Sequence, residues 1–276
     1  MQGWKYYNHA AVPIAAPHEE VDTTPVINGD IWKMTERPLL ARWTSDFDTA
    51  TETNWWYVVK DSPFDISALN AKRRYEINKG KKNFSVREFD PQNHKEEIFD
   101  IQIAAYSAYP AKYRPTIDKK TLFEDIDDWG PLVAIGAFSR ESDRMCGYAL
   151  LYENGTRCME FAVLKADPAF EKQAVNAALV EGVLKNHEDF LTNGGYICDG
   201  SRNINHETAF QDYLEKYFMF RKAFCKLHLA YAPKVRILLR LLYPFSKLLL
   251  RFDGMGIIHK LNSILKMEEI VRRDNE

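Results

Sequence analysis

From residue 65 onward the apolar positions change period in step with the turn residues, and the pattern predicts alternating helices and strands. Ile66, Leu69, Arg73 and Ile77 are spaced by three or four, as on one helix face, and Gly80 is placed to close that helix. Phe84 to Phe89 alternates as a short strand, and helices are expected over about 93–109 and 118–127. Two apolar runs, Leu132 to Phe138 and Cys146 to Tyr152, flank a polar turn over 139–144, so they should pair as a hairpin. Asn154-Gly155 accepts positive φ and turns the chain into a third strand, Arg157 to Leu164. Asp167-Pro168 opens a long helix over roughly 169–190, and Gly194-Gly195 restarts the chain as a strand at Tyr196-Ile197-Cys198. A polar loop over 199–205 leads into a helix over 207–217, and Arg221 to Tyr231 reads as the last strand.

The two ends differ from this stretch. Prolines at 13, 17, 25 and 38 divide the first 60 residues, favouring short extended pieces over long helices. Trp55-Trp56-Tyr57-Val58-Val59 reads as a strand ended by Asp61-Ser62-Pro63. Trp4, Trp32, Trp43, Trp55 and Trp56 all fall in this opening, either to pack it onto the sheet or to stack on sugar rings. After Pro233, the cations Arg236, Arg240, Lys247 and Arg251 are spaced four, seven and four, which gathers them on one helical arc opposite a wide leucine face. That is the pattern of a helix lying on an anionic membrane surface, or of one whose leucines cover the domain or a second subunit. Pro244 should kink it, and Ile257, Ile258, Leu261, Ile264 and Leu265 form a second amphipathic piece expected to fold back. The organisation expected is an aromatic-rich extension over 1–60 packing on the main domain, an α/β domain over 61–232, and an amphipathic helical tail over 233–276.

Composition narrows the class. With 46% hydrophobic residues in 276, the chain can build a substantial core, which excludes a disordered or fibrous protein. A formal net charge of −2 provides no global field for nucleic acid, so such a role would rest on a local patch. Cys146, Cys158, Cys198 and Cys225 form no C-x-x-C pair and sit in apolar, strand-like stretches, which suits a reducing compartment. No secretory signal and no run of about 20 apolar residues is found, so a cytoplasmic location is expected, with the inner membrane face as its nearest association. His18-Glu19-Glu20 lacks a second ligand cluster, and no metal is expected.

The element order from residue 65 to 231 resembles the GNAT acyltransferase fold. Phe210-Gln-Asp-Tyr-Leu-Glu-Lys-Tyr-Phe-Met-Phe-Arg-Lys-Ala-Phe224 is similar to that family's closing segment, with Met219-Phe220 where Gly-Phe is usual. Leu69-Asn-Ala-Lys-Arg-Arg-Tyr-Glu-Ile-Asn-Lys-Gly80 looks like the basic helix of the Fem-related branch. Cys198-Asp199-Gly200-Ser201-Arg202 is similar to that branch's aspartate-x-glycine-arginine-serine loop, shortened and with Ser and Arg exchanged. The resemblance implies a mixed central sheet flanked by helices and splayed near its middle, where the strands around Met159 and Ile197 part and the acyl donor sits. It also implies a pyrophosphate-binding turn at the start of the long helix. The best register here is Gln173-Ala-Val-Asn176-Ala-Ala178, with Asn in place of the first Gly and several residues inside the expected helix.

Within that frame, Glu160 lies mid-strand between Met159 and Phe161, where partial desolvation would suit it to take a proton from an ammonium nucleophile; a solvent-facing glutamate paired with a cation is the alternative. The resemblance brings Tyr213 and Tyr217 near the position of a tyrosine that protonates the departing thiolate, although helix packing explains both equally well. It also makes the backbone N–H groups of Val163, Leu164 and Lys165 the polarising groups for a thioester carbonyl. Asp199, Ser201 and Arg202 follow a strand's carboxyl end, where open α/β sheets bind ligands. Between residues 71 and 82, Lys72, Arg73, Arg74, Lys79, Lys81 and Lys82 face only Glu76, a density suited to a phosphate-bearing ligand or simply to a solvated face. The expectation is an N-acyltransferase taking its acyl group from a thioester or ester donor, acyl-coenzyme A first. The amine acceptor would be phosphorylated or lipid-linked, such as an amino sugar or a cell-envelope glycan precursor. The alternatives are an aminoacyl-tRNA-dependent transferase and a GNAT-shaped binding module without catalysis at a membrane surface, with residues 234–251 as the membrane contact.

Overall fold

The computed structural model describes residues 2–109, 114–204, 210–249 and 256–274, with backbone alone for Lys247 and 256–260. Its strands are β1 (Trp4–Tyr7), β2 (Ala10–Pro13), β3 (Leu40–Ser45), β4 (Trp55–Lys60), β5 (Phe84–Glu88), β6 (Val133–Ser139), β7 (Met145–Asn154), β8 (Cys158–Ala166), β9 (Tyr196–Ser201) and β10 (Arg221–Tyr231). Its α-helices are α1 (Thr24–Ile27), α2 (Ala71–Asn83), α3 (Lys95–Ser107), α4 (Lys119–Asp127), α5 (Val175–Asn186), α6 (Glu188–Thr192), α7 (Phe210–Phe218), α8 (Pro233–Leu242), α9 (Ser246–Leu249) and α10 (Gly256–Arg273). They group into two compact units: residues 1–58, 201–209 and 222–276 form one, and residues 59–200 and 210–221 the other.

In the second unit β5, β6, β7 and β8 form an antiparallel ladder, and β9 joins β8 in parallel. The expected β6–β7 hairpin is present, closed by the Ser139 amide on the Arg144 carbonyl at 2.8 Å. Both faces of this sheet are covered, which is why its strands read as continuous apolar runs. On one face Ile98, Ile101, Leu122 and Ile126 of α3 and α4 pack on Ala134, Phe138, Tyr148 and Leu150. On the other, Val175, Ala178 and Leu179 of α5 pack on Phe84, Ala137 and Cys146. All four cysteines are free and buried, one each on β7, β8, β9 and β10.

Three elements differ from the sequence expectation. The strand β9 runs on through Asp199 and Gly200 to Ser201, residues expected in a loop past the strand's end. Gly80 does not close a helix, because α2 starts only after the Asn70 cap and runs on to Asn83. A Cβ at Gly80 would stand 2.8 Å from the Ala174 carbonyl oxygen and 3.1 Å from Ala178, so the glycine lets α2 approach α5. The single helix over 169–190 is also absent. Asp167 caps a 3-10 turn, Pro168–Gln173, Ala174 turns left-handed at φ 65°, and only then does α5 begin, with α6 following after His187. An apolar composition makes the two pieces look continuous.

In the first unit β1 pairs antiparallel with β2, β2 parallel with β3, and β3 antiparallel with β10. Trp4 and Ile31 pack with Ala11 and Ala41 in one cluster. Trp55, Leu40 and Leu227 meet Leu239 of α8 and Leu265, Met267 and Ile270 of α10 in another. Pro244 sits in a 3-10 turn, Tyr243–Phe245, that breaks the tail as expected. Leu261, Ile264 and Leu265 fold back into this core, while the side chains of Lys247, Ile257 and Ile258, all of Arg251, and the expected helix start at 207–209 lie outside the described residues. Among the described residues no helix is long and apolar enough to cross a membrane.

Candidate functional site

The strands β8 and β9 share three rungs, Cys158↔Tyr196, Met159↔Ile197 and Glu160↔Cys198, and none beyond. The sequence places the parting of these strands at Met159 and Ile197, but those two residues are paired, and the fork opens one rung later. Two local features open it. The register of β8 against β7 slips so that Leu150 faces Val163 and Leu151 faces Phe161, which leaves Ala162 as a bulge. Gly200 takes φ 82° and turns β9. A bulge bends its strand and strengthens its twist, so β8 leaves β9 while staying on β7 as far as Ala166.

Two carboxylates stand at this fork. Glu160, half-buried, accepts a hydrogen bond from Asn154 Nδ2 at 2.9 Å and another from the Tyr152 hydroxyl. Burial and the charge of Glu160 keep the Tyr152 phenol protonated far above its ordinary range. Asp199 is the residue after the last rung. Burial pushes its carboxyl up to about 7, a hydrogen bond from Gln211 opposes that shift, and the charge of Glu160 adds to it. The first turn of α7 reaches both strands just past the fork. Gln211 Nε2 donates to the Asp199 carbonyl at 3.1 Å, and Phe210 meets Phe161 edge-on at 6.2 Å.

Tyr213 and Tyr217 share the inner face of α7, where Tyr213 stacks on Phe210 and meets Tyr217 at 5.2 Å. Burial holds the Tyr213 phenol in its neutral form well above the usual range. Arg73 of α2 lies over the Tyr217 ring at 3.2 Å while paired with Glu76. Arg74 turns the other way and donates to the Ser67 and Leu69 carbonyls, and Lys72 is exposed.

Val163, Leu164 and Lys165 pair with Leu150, Ala149 and Tyr148 on the β7 side, and their opposite edge meets no β9 rung. The Lys165 ammonium lies over Tyr106 at 4.1 Å and donates to the Tyr109 hydroxyl. The break at Ala174 moves Gln173, Asn176 and Ala178 from the middle of a helix to the start of α5, whose first turn no side chain caps. Gly80 packs there, Asn83 donates to the Gln173 carbonyl, and Lys81 at the end of α2 pairs with Glu181 of α5. Asn176, in the place of the motif's first glycine, is buried only in part, whereas Val175, Ala177 and Ala178 are buried.

Ser201 and Arg202 fall in the first unit, where the Arg202 guanidinium donates to the Asn54 carbonyl and lies over Trp56 at 4.5 Å. Sequence reasoning passes over Tyr152, Asn154 and Gln211, which hold the two carboxylates. Tyr152 and Asn154 could have been found from the hairpin register, since the Asn-Gly turn places them opposite Glu160 and Cys158. Among the described residues no group of three His, Cys, Asp or Glu side chains converges.

No family model matches the sequence, and neither does any curated protein. Solved structures do match. L-PGS from Bacillus licheniformis aligns over 87% of this chain and 83% of its own with TM-score 0.52 at 10% identity. FemX aligns over 86% and 85% with TM-score 0.53 at 9% identity. The C-terminal domain of a protein provisionally named lysylphosphatidylglycerol synthetase, from Agrobacterium fabrum, aligns over 86% and 82% with TM-score 0.51 at 8% identity. At such identity these likenesses speak for the fold alone: the chain shares its fold with L-PGS and FemX.

Proposed function

We propose that the β8–β9 fork is the reaction centre of an N-acyltransferase, moving an acyl or aminoacyl group from a thioester or ester donor to an amine acceptor. The observation that carries this reading is the pair of carboxylates at the parting strands, Glu160 held by Tyr152 and Asn154, and Asp199 with its carboxyl at about 7. A carboxyl in that range takes a proton near neutral pH, as an attacking ammonium requires. Asp199 would accept the proton of the amine as its nitrogen forms a bond to the donor carbonyl carbon. Glu160, next to it, would hold the nascent positive charge. The unpaired edge of β8 near Val163 to Lys165 would meet the carbonyl oxygen, and Tyr213, kept neutral, would supply a proton to the departing sulfur or oxygen.

The donor most consistent with the uncapped start of α5, with Lys81 of α2 reaching the same helix at Glu181, is acyl-coenzyme A, whose pyrophosphate suits helix N–H groups. A second reading, transfer from aminoacyl-tRNA, is favoured by the exposed row Lys72, Tyr75, Lys79 and Lys82 on α2. Native mass spectrometry of the purified protein, followed by transfer assays with labelled acetyl-coenzyme A and labelled aminoacyl-tRNA, separates the two. Asp199→Asn should lower the transfer rate by roughly 100-fold or more. Retention of neither donor, together with unchanged turnover in Asp199→Asn and Glu160→Gln, would overturn the transferase reading in favour of a binding module.

A further inference from the structure

Helix α8 is apolar on two sides. Val235, Leu239 and Tyr243 face the core that Leu40, Leu227 and α10 share, and this accounts for one of them. On the other side Ile237, Leu238 and Leu241 stand 63%, 49% and 65% exposed, and Phe245 and Leu248 continue the patch past the Pro244 turn at 60% and 54%. At 100° per residue the three helical positions span an arc of about 100° that points away from Leu239. This side is not waiting to fold inward, because the segment is already pinned. The Arg272 guanidinium lies 3.9 Å from the centre of the Tyr243 ring, and Asn262 Nδ2 donates to the Leu249 carbonyl.

Charge says what kind of surface would cover the patch. Between Pro233 and Leu249 the sequence holds Lys234, Arg236, Arg240 and Lys247 and no carboxylate. Lys234, Arg236 and Arg240 are all exposed; Arg236 and Arg240 flank the apolar arc on one side, and Lys234 stands at its N-terminal end. A second copy is a poor occupant: a two-fold interface would set this patch against itself, bringing the same cations face to face. An anionic bilayer surface suits both halves of the pattern. The aliphatic and aromatic side chains enter the acyl boundary, and the long cationic side chains reach back to headgroup phosphates. We propose that the exposed side of α8, continued by Phe245 and Leu248, docks this protein on an anionic membrane surface. This rests on the first unit alone and stands apart from the chemistry proposed for the fork.

The test is co-sedimentation of the full chain with vesicles of phosphatidylcholine alone and of phosphatidylcholine with a minority of phosphatidic acid, a lipid that carries charge but no amine acceptor. Binding is expected only to the anionic vesicles, and it should weaken as salt rises. Arg236→Glu/Arg240→Glu is expected to lower the partition coefficient at least about tenfold, since each cation near such a surface contributes roughly fivefold. Ile237→Ser/Leu241→Ser, at positions too exposed to disturb folding, should lower it comparably, with an unchanged circular dichroism melt as the control. Failure to bind anionic vesicles, or equal binding to both vesicle types, would overturn the proposal. So would binding that survives both double substitutions, or sedimentation velocity showing a dimer that Ile237→Ser/Leu241→Ser dissolves.

Discussion

The Arg73 guanidinium lies 3.2 Å from the centre of the Tyr217 ring, and the same arginine pairs with Glu76 one helical turn away. This stack ties α2 to α7, whose first turn carries Gln211 and Phe210 to the fork. A cation over an aromatic face in a half-buried setting contributes roughly 0.5–2 kcal/mol. A double-mutant cycle of Arg73→Met and Tyr217→Leu, read by urea denaturation, should return a coupling energy in that range. A coupling indistinguishable from zero would mean that the two side chains merely lie near each other.

The Asp199 carboxyl makes two pH-dependent outcomes concrete. As the base for an ammonium, it must be ionised, so kcat/KM should rise with pH through a midpoint near 7, and Asp199→Asn should remove that limb. Stability should run the other way. The folded carboxyl, at about 7 against an ordinary 3.8, binds a proton that the unfolded chain has already released, so stability falls as pH rises between those values. The penalty is complete above about 7 and absent below the ordinary value. Asp199→Asn should therefore be more stable than the parent at pH 8, by at most a few kcal/mol. The advantage should vanish near pH 4. Equal pH profiles of stability for the two proteins would place Asp199 in water.

How much of this was legible in the sequence follows from what each pattern measures. Period and turn residues locate β5 to β8, the Asn-Gly turn and α4, because those elements are set by local alternation and local caps. The fork is legible as a pair of strands but not to the rung, since the bulge at Ala162 depends on how β7 and β8 twist together. The break at Ala174 is hidden because alanine is a strong helix former, and only tertiary packing against Gly80 explains a left-handed alanine there. Gly80 itself reads as a helix stop because a glycine required by a neighbouring backbone looks, in one dimension, like one required by φ. The exposed leucines of the tail are visible as an amphipathic pattern, but which of them face solvent depends on the side of α8 that packs against Leu40, Leu227 and α10.

The same contact yields a pair of substitutions with opposite signs. Alanine in a helix interior is ordinarily favoured over glycine by about 1 kcal/mol. At Gly80 the added Cβ would meet the Ala174 carbonyl oxygen at 2.8 Å, a backbone atom that cannot turn aside, so Gly80→Ala should destabilise by about 1–3 kcal/mol. Ala174→Gly should instead relieve the left-handed alanine and stabilise by up to about 1 kcal/mol. Thermal melts of the two variants check both signs. A stabilised Gly80→Ala would show that α2 can move away from α5 at little cost.

Lys60 at the end of β4 is 2% exposed, and its ammonium donates to Ser62 Oγ at 2.7 Å and the Pro63 carbonyl at 3.4 Å. Desolvation lowers its pKa, and the nearby Asp61 opposes this only in part, since that carboxylate is paired with Arg221. Neutral acceptors do not repay the removal of an ammonium from water, so Lys60→Met should raise stability by roughly 1–2 kcal/mol at neutral pH. The sign with pH follows from the lowered value: between the folded pKa and the ordinary 10.5 the unfolded chain binds the extra proton, so the stability of the parent rises with pH in that window. The advantage of Lys60→Met should accordingly shrink toward pH 10. A Lys60→Met protein that melts several degrees lower at every pH would show that the two hydrogen bonds outweigh the desolvation, and that the β4 end is held by its lysine.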